Sequence, residues 1–333
     1  MPKAVALFSG GLDSQLAVAL MLAQQVEVVG VNFKTPFFGN APYVHQAAQK
    51  LGIPLQIIDI TNEYLELLKN PRYGFGKNIN PCIDCHGLML KKAGQYMEKI
   101  GADFIVTGEV LRQRPKSQHR DALHIVEKLS GYQGLILRPL SAKLLPPTQP
   151  ELKGLVDRNQ LLAISGRSRK EQMELADKFG LQDYPSPAGG CLLTVPSFAS
   201  RLRRLLEITP APSRIELERL KIGRHFISSD GFYLIVGRKN SENQALLESA
   251  QPHELLLKTI GHPGPTSLLC CPGKATPQFS QEDVEKAAAL TARYSDAQHL
   301  PLAEVKCWHK GETPRLIRIK PSDPSAFPEL EHL

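Results

Sequence analysis

Six residues near the N-terminus, Ser9-Gly10-Gly11-Leu12-Asp13-Ser14, have the types and order of a phosphate-binding turn. They follow an apolar run at residues 4–8 and precede a helix-like segment at residues 15–25, which predicts the order strand, glycine turn, helix. Two glycines let the backbone approach a phosphate, serine hydroxyls add donors, and the helix N-terminus presents free N–H groups. A carboxylate beside phosphates is repelled unless a cation lies between them, so Asp13 indicates a nucleotide site with Mg²⁺.

No lysine follows these glycines, so the loop is not the GxxxxGK[ST] motif of ordinary NTPases. An ordinary glycine turn with a capped helix start is the alternative interpretation. The position of the loop between an apolar run and a helix favours the phosphate site.

Cysteines form the second group of reactive residues, with Cys82 and Cys85 in a CxxC pair directly before His86. Such a pair is typical of a redox couple, half of a zinc site or part of an iron–sulfur site. The sequence predicts a helix over residues 87–100, so Cys85 would lie near a helix N-terminus, which favours the thiolate.

A third cysteine, Cys191, follows a segment rich in proline and glycine at residues 185–190, which predicts a tight loop that exposes the thiol. Three thiolates with a vacant fourth position favour a 4Fe-4S cluster with one open iron. A cluster-free persulfide or disulfide pair is the second interpretation. Zinc, with His86 as a fourth ligand, is the third.

The apolar run and helix around the glycine turn, followed by a strand at 26–33, a helix at 41–51 and a strand at 55–60, read as a βαβαβ half. A further strand at 103–107 ends in Gly108. This alternation predicts an α/β fold with a doubly wound parallel sheet, whose ligands lie at the carboxyl ends of the strands. Asn32 and Phe33 end the second strand, where they would face adenosine or form an ordinary strand exit.

The charge and composition of the chain indicate which kinds of partner it could bind. The net charge is +7, and residues 110–170 hold twelve Lys or Arg against four Asp or Glu. This excess favours a polyanionic partner over a merely solvated face, and the candidates for RNA contact are Arg112, Arg114, Lys116, Arg167, Arg169 and Lys170. Six cysteines, no apolar run of membrane-spanning length and no signal-like start predict a cytoplasmic protein without a membrane partner.

Two domains are expected, at residues 1–198 and 199–333, because the composition changes after Thr194. Before the boundary, Ser168 and Glu171 predict a capping box for a helix that ends at Gly180. The second domain alternates helical and strand patterns, which predicts an α+β fold. Its eighteen basic and sixteen acidic residues nearly balance, so only a local patch of this domain could bind RNA. The tail at 321–333 is expected to be mobile.

Four features together resemble the tRNA 2-thiouridylases and their 4-thiouridine-forming relatives among the PP-loop ATP pyrophosphatases: SGGLDS, Asn80-Pro81 followed by Cys85, a strand ending at Gly108, and Gly190-Cys191. The resemblance covers about residues 1–200. It implies that ATP adenylates a uridine carbonyl oxygen in tRNA and that sulfur from a persulfide carrier or sulfide then displaces AMP.

By position, the resemblance assigns pyrophosphate and metal to Ser9, Gly10, Gly11, Asp13 and Ser14, and sulfur handling to Cys85 and Cys191. Two positions depart from the family. Cys82 stands where the best-known bacterial members have Asp, which makes the three cysteines resemble those of cluster-dependent relatives, and Glu109 replaces a His.

The run Lys221-Ile-Gly-Arg-His225 with the residues up to Asn240 resembles the NFACT-type RNA-binding domain. Two other functions are considered: a PP-loop enzyme that adenylates a small molecule, and an RNA-binding adaptor that uses nucleotide only as a structural ligand. The sequence leaves open which uridine is modified and which oligomeric state the chain adopts.

Overall fold

The structure is a computed structural model that describes residues 1–39, 42–114, 116–185, 190–229, 231–274 and 278–333. The chain divides into two compact units, Met1–Thr194 and Val195–Leu333. The boundary predicted after residue 198 falls within the first turn of helix Pro196–Ile208.

The first unit contains a five-stranded parallel sheet. Its strands are β1 (Lys3–Leu7), β2 (Glu27–Lys34), β3 (Leu55–Asp59), β4 (Phe104–Thr107) and β5 (Ile136–Leu137), in the order β3-β2-β1-β4-β5. Every pairing between neighbours is parallel. The doubly wound α/β fold predicted from the sequence is therefore confirmed.

Helices cover this sheet. They are α1 (Leu12–Ala23), α2 (Pro42–Lys50), α3 (Thr61–Lys69), α4 (Cys82–Lys99), α5 (Arg120–Ser130), α6 (Gln149–Leu152) and α7 (Lys170–Lys178). The central strand β1 is apolar and Ala4, Val5 and Ala6 are fully buried or nearly so, as expected for a parallel strand covered on both faces. The start of α2 predicted at residue 41 lies outside the described residues.

Two helix predictions in this unit need correction, and one helix was not predicted. Helix α4 begins at Cys82 rather than at residue 87, so both cysteines of the CxxC pair belong to its first turn. Helix α5 was not predicted, although Leu123 and Val126 have helical spacing and Gly131 ends the helix at φ +80°. Helix α7 begins at Lys170 with Arg169 at its N-cap and no side-chain cap, so the predicted Ser168 capping box is wrong.

The second unit is an α+β domain, as predicted. Its described helices are α8 (Pro196–Ile208), α9 (Arg214–Arg219), α10 (Asn240–Ser249) and α11 (Gln281–Arg293). Its strands are β6 (Arg224–Ile227), β7 (Tyr233–Val236), β8 (Leu255–Thr259), β9 (Thr266–Cys270), β10 (Ala303–His309), β11 (Arg315–Ile319) and β12 (Glu331–His332). They form an antiparallel sheet in the order β11-β10-β8-β9-β7-β6-β12.

The tail was expected to be mobile, and this expectation is wrong. Glu331 and His332 form β12, which pairs with β6, and the imidazole of His332 stacks on Phe226 with ring centroids 4.6 Å apart. Strand β12 and helix α10 carry too few apolar residues for a pattern to predict them.

Within the described parts of the chain, no helix is both long and apolar enough to cross a membrane.

Candidate functional site

The phosphate loop connects β1 to α1 as predicted. Gly10 has φ +72°, and a Cβ at this position would lie 3.0 Å from the Tyr43 ring and from the Val44 Cα, so only glycine fits without strain. The Ser14 hydroxyl donates to the Gly11 carbonyl at 2.8 Å. Gly11 caps α1 without a side-chain hydrogen bond among the described residues, which leaves the first N–H groups of α1 for an anion.

Asp13 lies in the first turn of α1 with its two carboxylate oxygens in different environments. Oδ2 accepts a hydrogen bond from Gln113 Nε2 at 3.1 Å. Oδ1 is buried and has no hydrogen-bond partner within the described chain. Because an unpaired buried carboxylate oxygen is costly, this atom suits a hard cation such as Mg²⁺, and the donor set fits the predicted metal.

Gly108 brings the end of β4 against this loop. A Cβ on Gly108 would lie 2.6 Å from the carbonyl carbon of Asp13 and from the backbone nitrogen of Ser14. Any larger residue would therefore push β4 away from the loop. This close contact explains why glycine follows the strand at this position.

Asn32 and Phe33 lie within β2 and are each about 5% exposed. The Asn32 side-chain amide donates to the Phe8 carbonyl at 2.9 Å and so ties β2 to the end of β1. Contact with adenosine stays a prediction for both residues. Because their side chains are buried, such a contact would involve the backbone of β2.

Cys82 and Cys85 lie one turn apart on α4. The Asn80 side-chain amide donates to Cys82 Sγ at 3.0 Å. Burial raises the pKa of the Cys85 thiol to about 12, although its hydrogen bond with the Tyr64 hydroxyl acts in the opposite direction. The thiolate predicted for Cys85 from its place near the helix N-terminus is therefore wrong, because burial disfavours the charged form of this thiol.

Cys191 follows residues 186–189, the part of the predicted loop that lies outside the described residues. The backbone N–H of the next residue, Leu192, donates to the Phe37 carbonyl at 3.0 Å and anchors the segment beside β2. Burial raises the pKa of the Cys191 thiol to about 11, while the Leu193 N–H and the charge of Arg114 act to lower it.

A chain of contacts connects Cys191 with the CxxC pair: the Phe37 carbonyl accepts from the Leu192 N–H, the centroids of the Phe37 and Tyr64 rings lie 5.6 Å apart, and the Tyr64 hydroxyl contacts Cys85. No group of three or more His, Cys, Asp or Glu that could hold a metal ion occurs among the described residues. The expected 4Fe-4S cluster and the zinc alternative are therefore unsupported. Tyr64 engages Cys85 and Asn80 engages Cys82, so hydrogen bonds satisfy these sulfurs without a metal.

A buried ionic network next to the cysteines was missed by the sequence analysis. His86 Nδ1 lies 2.9 Å from Glu109 Oε1, and Arg138 Nε donates to Glu109 Oε2 at 2.9 Å. Arg138 also pairs with Glu127. Burial alone would raise the pKa of Glu109, but the Arg138 charge and the His86 hydrogen bond lower it to about 2. The signal in the sequence was a polar residue two positions after a strand, as Glu109 is after β4.

The two predicted basic segments lie side by side. Leu111 and Ser165 form a parallel β-bridge, and the Gly166 N–H donates to the Leu111 carbonyl at 2.8 Å. In this parallel register Arg112 lies opposite Gly166, the residue directly before Arg167. The exposed cations of the two segments are Arg112, Arg114, Lys116, Arg167 and Lys170, and Arg169 is half-buried.

Comparison with known proteins gives two family matches. Residues 2–153 match the family described as tRNA methyl transferase HUP domain, and residues 223–329 match the NFACT protein RNA binding domain.

Two curated relatives are tRNA-specific 2-thiouridylases MnmA. The chain is 29% identical to that of Syntrophotalea carbinolica over 52% of this chain and 49% of the relative, and 24% identical to that of Rickettsia typhi over 68% and 65%. The chain thus spans about half to two thirds of the length of these relatives. A solved 4-thiouridine synthetase–RNA complex with bound ATP aligns at 21% identity with a TM-score of 0.38, over 58% of this chain and 42% of that chain, too weakly to indicate function.

Proposed function

We propose that this chain, a member of the PP-loop tRNA thiouridylase family with an NFACT-type RNA-binding domain, is an ATP-dependent tRNA sulfurtransferase that forms a thiouridine. One observation carries the proposal. A phosphate loop with an unpaired Asp13 oxygen lies at the sheet edge where α4 begins with Cys82 and Cys85, close to Cys191. Activation and sulfur delivery would therefore take place next to each other.

In the activation step the ATP phosphates lie over Gly10 and Gly11 and accept hydrogen bonds from the first N–H groups of α1. When bound, Mg²⁺ at Asp13 neutralises phosphate charge. A uracil carbonyl oxygen attacks the α-phosphorus, the bond to the bridging oxygen of pyrophosphate breaks, and AMP becomes attached to the base. Backbone donors stabilise the charge that develops on the transferring group.

Adenylation of a uracil carbonyl oxygen also releases the N3 proton, and we infer that His86 accepts it. Its Nδ1 is bound to Glu109, which is ionised at neutral pH because its pKa is about 2. Nε2 makes no hydrogen bond within the described part of the chain and is left as the proton acceptor. Arg138 keeps Glu109 in place and thereby orients the imidazole.

For the sulfur step we favour a persulfide on Cys191, formed when the Cys191 thiolate takes the outer sulfur of a persulfide carrier and releases the carrier's thiol. The terminal sulfur of the Cys191 persulfide attacks the adenylated carbon and AMP leaves, which gives a disulfide between Cys191 and the base. The thiolate of Cys85 then attacks the Cys191 sulfur and releases the thiouridine, and a thiol reductant reduces the resulting Cys85–Cys191 disulfide and so regenerates both thiols. Since burial raises the pKa of both thiols, each must lose its proton during the cycle.

The paired basic segments provide phosphate contacts for tRNA, and the NFACT-type domain provides a second RNA-binding surface. An ATP–pyrophosphate exchange assay tests the proposal against its two rivals. Unmodified tRNA should stimulate exchange and AMP formation. Stimulation by a metabolite instead of tRNA would favour a small-molecule enzyme, and binding of RNA without AMP formation would favour an adaptor.

A further inference from the structure

The segment between α3 and α4, residues 70–81, exposes two aromatic and two cationic side chains. Tyr73 is 40% exposed and Phe75 is 45% exposed, while Arg72 and Lys77 are also exposed. Water contact with large aromatic surface is unfavourable, and exposed aromatic side chains grouped with cations are typical of binding sites. The segment contains no Asp or Glu, so its own charge is positive.

The segment is held firmly despite its irregular backbone. The buried Asp84 carboxylate accepts hydrogen bonds from the N–H groups of Arg72 at 3.1 Å and Tyr73 at 3.0 Å. The Gly76 N–H donates to the Asn80 carbonyl at 2.8 Å and closes a compact turn. Residues that display the aromatic rings are therefore fixed before any ligand binds, which lowers the entropic cost of binding.

The same contacts attach the segment to the cysteines. Asp84 lies between Cys82 and Cys85 on α4, and the Asn78 side-chain amide donates to the carbonyl of Thr194, three residues after Cys191, at 2.8 Å. The exposed rings thus belong to the framework that carries all three thiols. A ligand bound on the rings would be positioned relative to the sulfur-transfer site.

We propose that Tyr73 and Phe75 stack on unpaired bases beside the target uridine while Arg72 and Lys77 contact the adjoining phosphates. The Arg72 guanidinium already lies over the Tyr73 ring, 5.7 Å from its centroid, so cation and aromatic face present one continuous surface. In duplex RNA the base faces are stacked on each other, and only unpaired bases offer a free face. The substrate uridine therefore lies in a single-stranded part of the tRNA.

This proposal rests on the proposed tRNA thiolation, and its test measures binding without chemistry. The probe is an RNA stem-loop with 2-aminopurine beside a loop uridine, titrated with the full chain in the absence of ATP. A fully paired RNA of the same length is the second probe. The wild-type protein should quench the fluorophore, because stacking on an aromatic ring does so.

The double variant Tyr73→Ala/Phe75→Ala should bind the stem-loop at least about tenfold more weakly and lose the quenching, since each stacked base contributes several-fold or more to affinity. Its salt dependence should stay unchanged because no charge is removed. Affinity for the paired RNA should change less than twofold. The variant Tyr73→Phe/Phe75→Tyr retains both rings and should behave as wild type, which separates stacking from folding.

Phe179→Ala is the matched control, since this aromatic residue at the end of α7 is 36% exposed and lies outside the segment. Unchanged stem-loop affinity and quenching in the double alanine variant would overturn the proposal, as would an equal loss for paired RNA. Weaker stem-loop binding by the double alanine variant, together with thiouridine formation by the wild type, supports the stacking surface. Normal stacking without any AMP formation would instead refute the sulfurtransferase function.

Discussion

Gln113 Nε2 donates a 3.1 Å hydrogen bond to Asp13 Oδ2, across one hundred residues of sequence. The contact fixes the carboxylate and leaves its second oxygen buried and unpaired within the described residues. Because Gln113 lies between Arg112 and Arg114, the metal-side carboxylate is connected directly to a basic segment proposed to contact RNA.

Asp13→Asn should lower AMP formation by about a hundredfold or more, because the amide keeps the Gln113 contact but cannot hold a divalent cation in place of the carboxylate. The measurement is AMP release with saturating ATP, Mg²⁺ and unmodified tRNA. Gln113→Ala is the control, which retains the carboxylate and should stay within about tenfold of wild type. Wild-type AMP release by Asp13→Asn would remove the basis for a metal at this position.

The rate of alkylation at Cys191 should rise about tenfold per pH unit between pH 7 and pH 9, because the thiolate reacts and burial raises the pKa of this thiol to about 11. The iodoacetamide adduct is quantified by peptide mass spectrometry in the absence of ligands. Cys85, whose pKa is raised to about 12, should react more slowly at every pH. A rate that is constant above pH 7 would show a stable thiolate and contradict the structure.

Glu109→Gln should lower the free energy of unfolding at pH 7 by on the order of 3 kcal/mol, since it removes one of the two carboxylates that neutralise the buried Arg138. The pKa of Glu109 is lowered to about 2 in the folded chain. Its stabilising contribution is therefore complete above the unfolded-state pKa and is lost as pH falls toward 2.

Urea unfolding of wild type and Glu109→Gln, measured between pH 7 and pH 3, checks this prediction. The difference between the two proteins should shrink below about pH 4.3, the ordinary pKa of a glutamate. His86→Gln is the control, because its side chain is less buried and its loss leaves the Arg138 ion pairs intact. If the difference in the free energy of unfolding stays constant across this range, the pKa of Glu109 is not lowered in the folded chain.

The first three strands of the parallel sheet were predictable because each is a short apolar run and a helix-like segment follows the first two, as α1 follows β1. The network of His86, Glu109 and Arg138 was not, since its members are up to 52 positions apart and only the pairing of β4 with β5 brings them together. The prediction of a Cys85 thiolate failed for the same reason. Local helix position suggested a thiolate, and tertiary burial decided against it.

Replacing Arg112, Arg114 and Lys116 together with alanine should flatten the dependence of tRNA affinity on salt by about two to three units in a logarithmic plot, because each phosphate contact releases about one counterion. The measurement is tRNA binding across a range of salt concentrations. A matched control replaces three exposed lysines of the first unit, Lys91, Lys99 and Lys128, and should leave the slope unchanged. Equal slopes for all three proteins would indicate that the basic segment is only a solvated surface.

The most direct measurement incubates the purified chain with unmodified tRNA, ATP, Mg²⁺ and a protein persulfide as sulfur donor, together with a thiol reductant that reduces the Cys85–Cys191 disulfide, and quantifies both AMP and the nucleosides by mass spectrometry. The proposed mechanism predicts thiouridine and AMP in about equal amounts with wild type, and AMP without thiouridine when Cys191 is replaced by serine. If the wild-type protein forms no thiouridine under these conditions and instead transfers AMP to an acceptor other than tRNA, the proposed mechanism is contradicted.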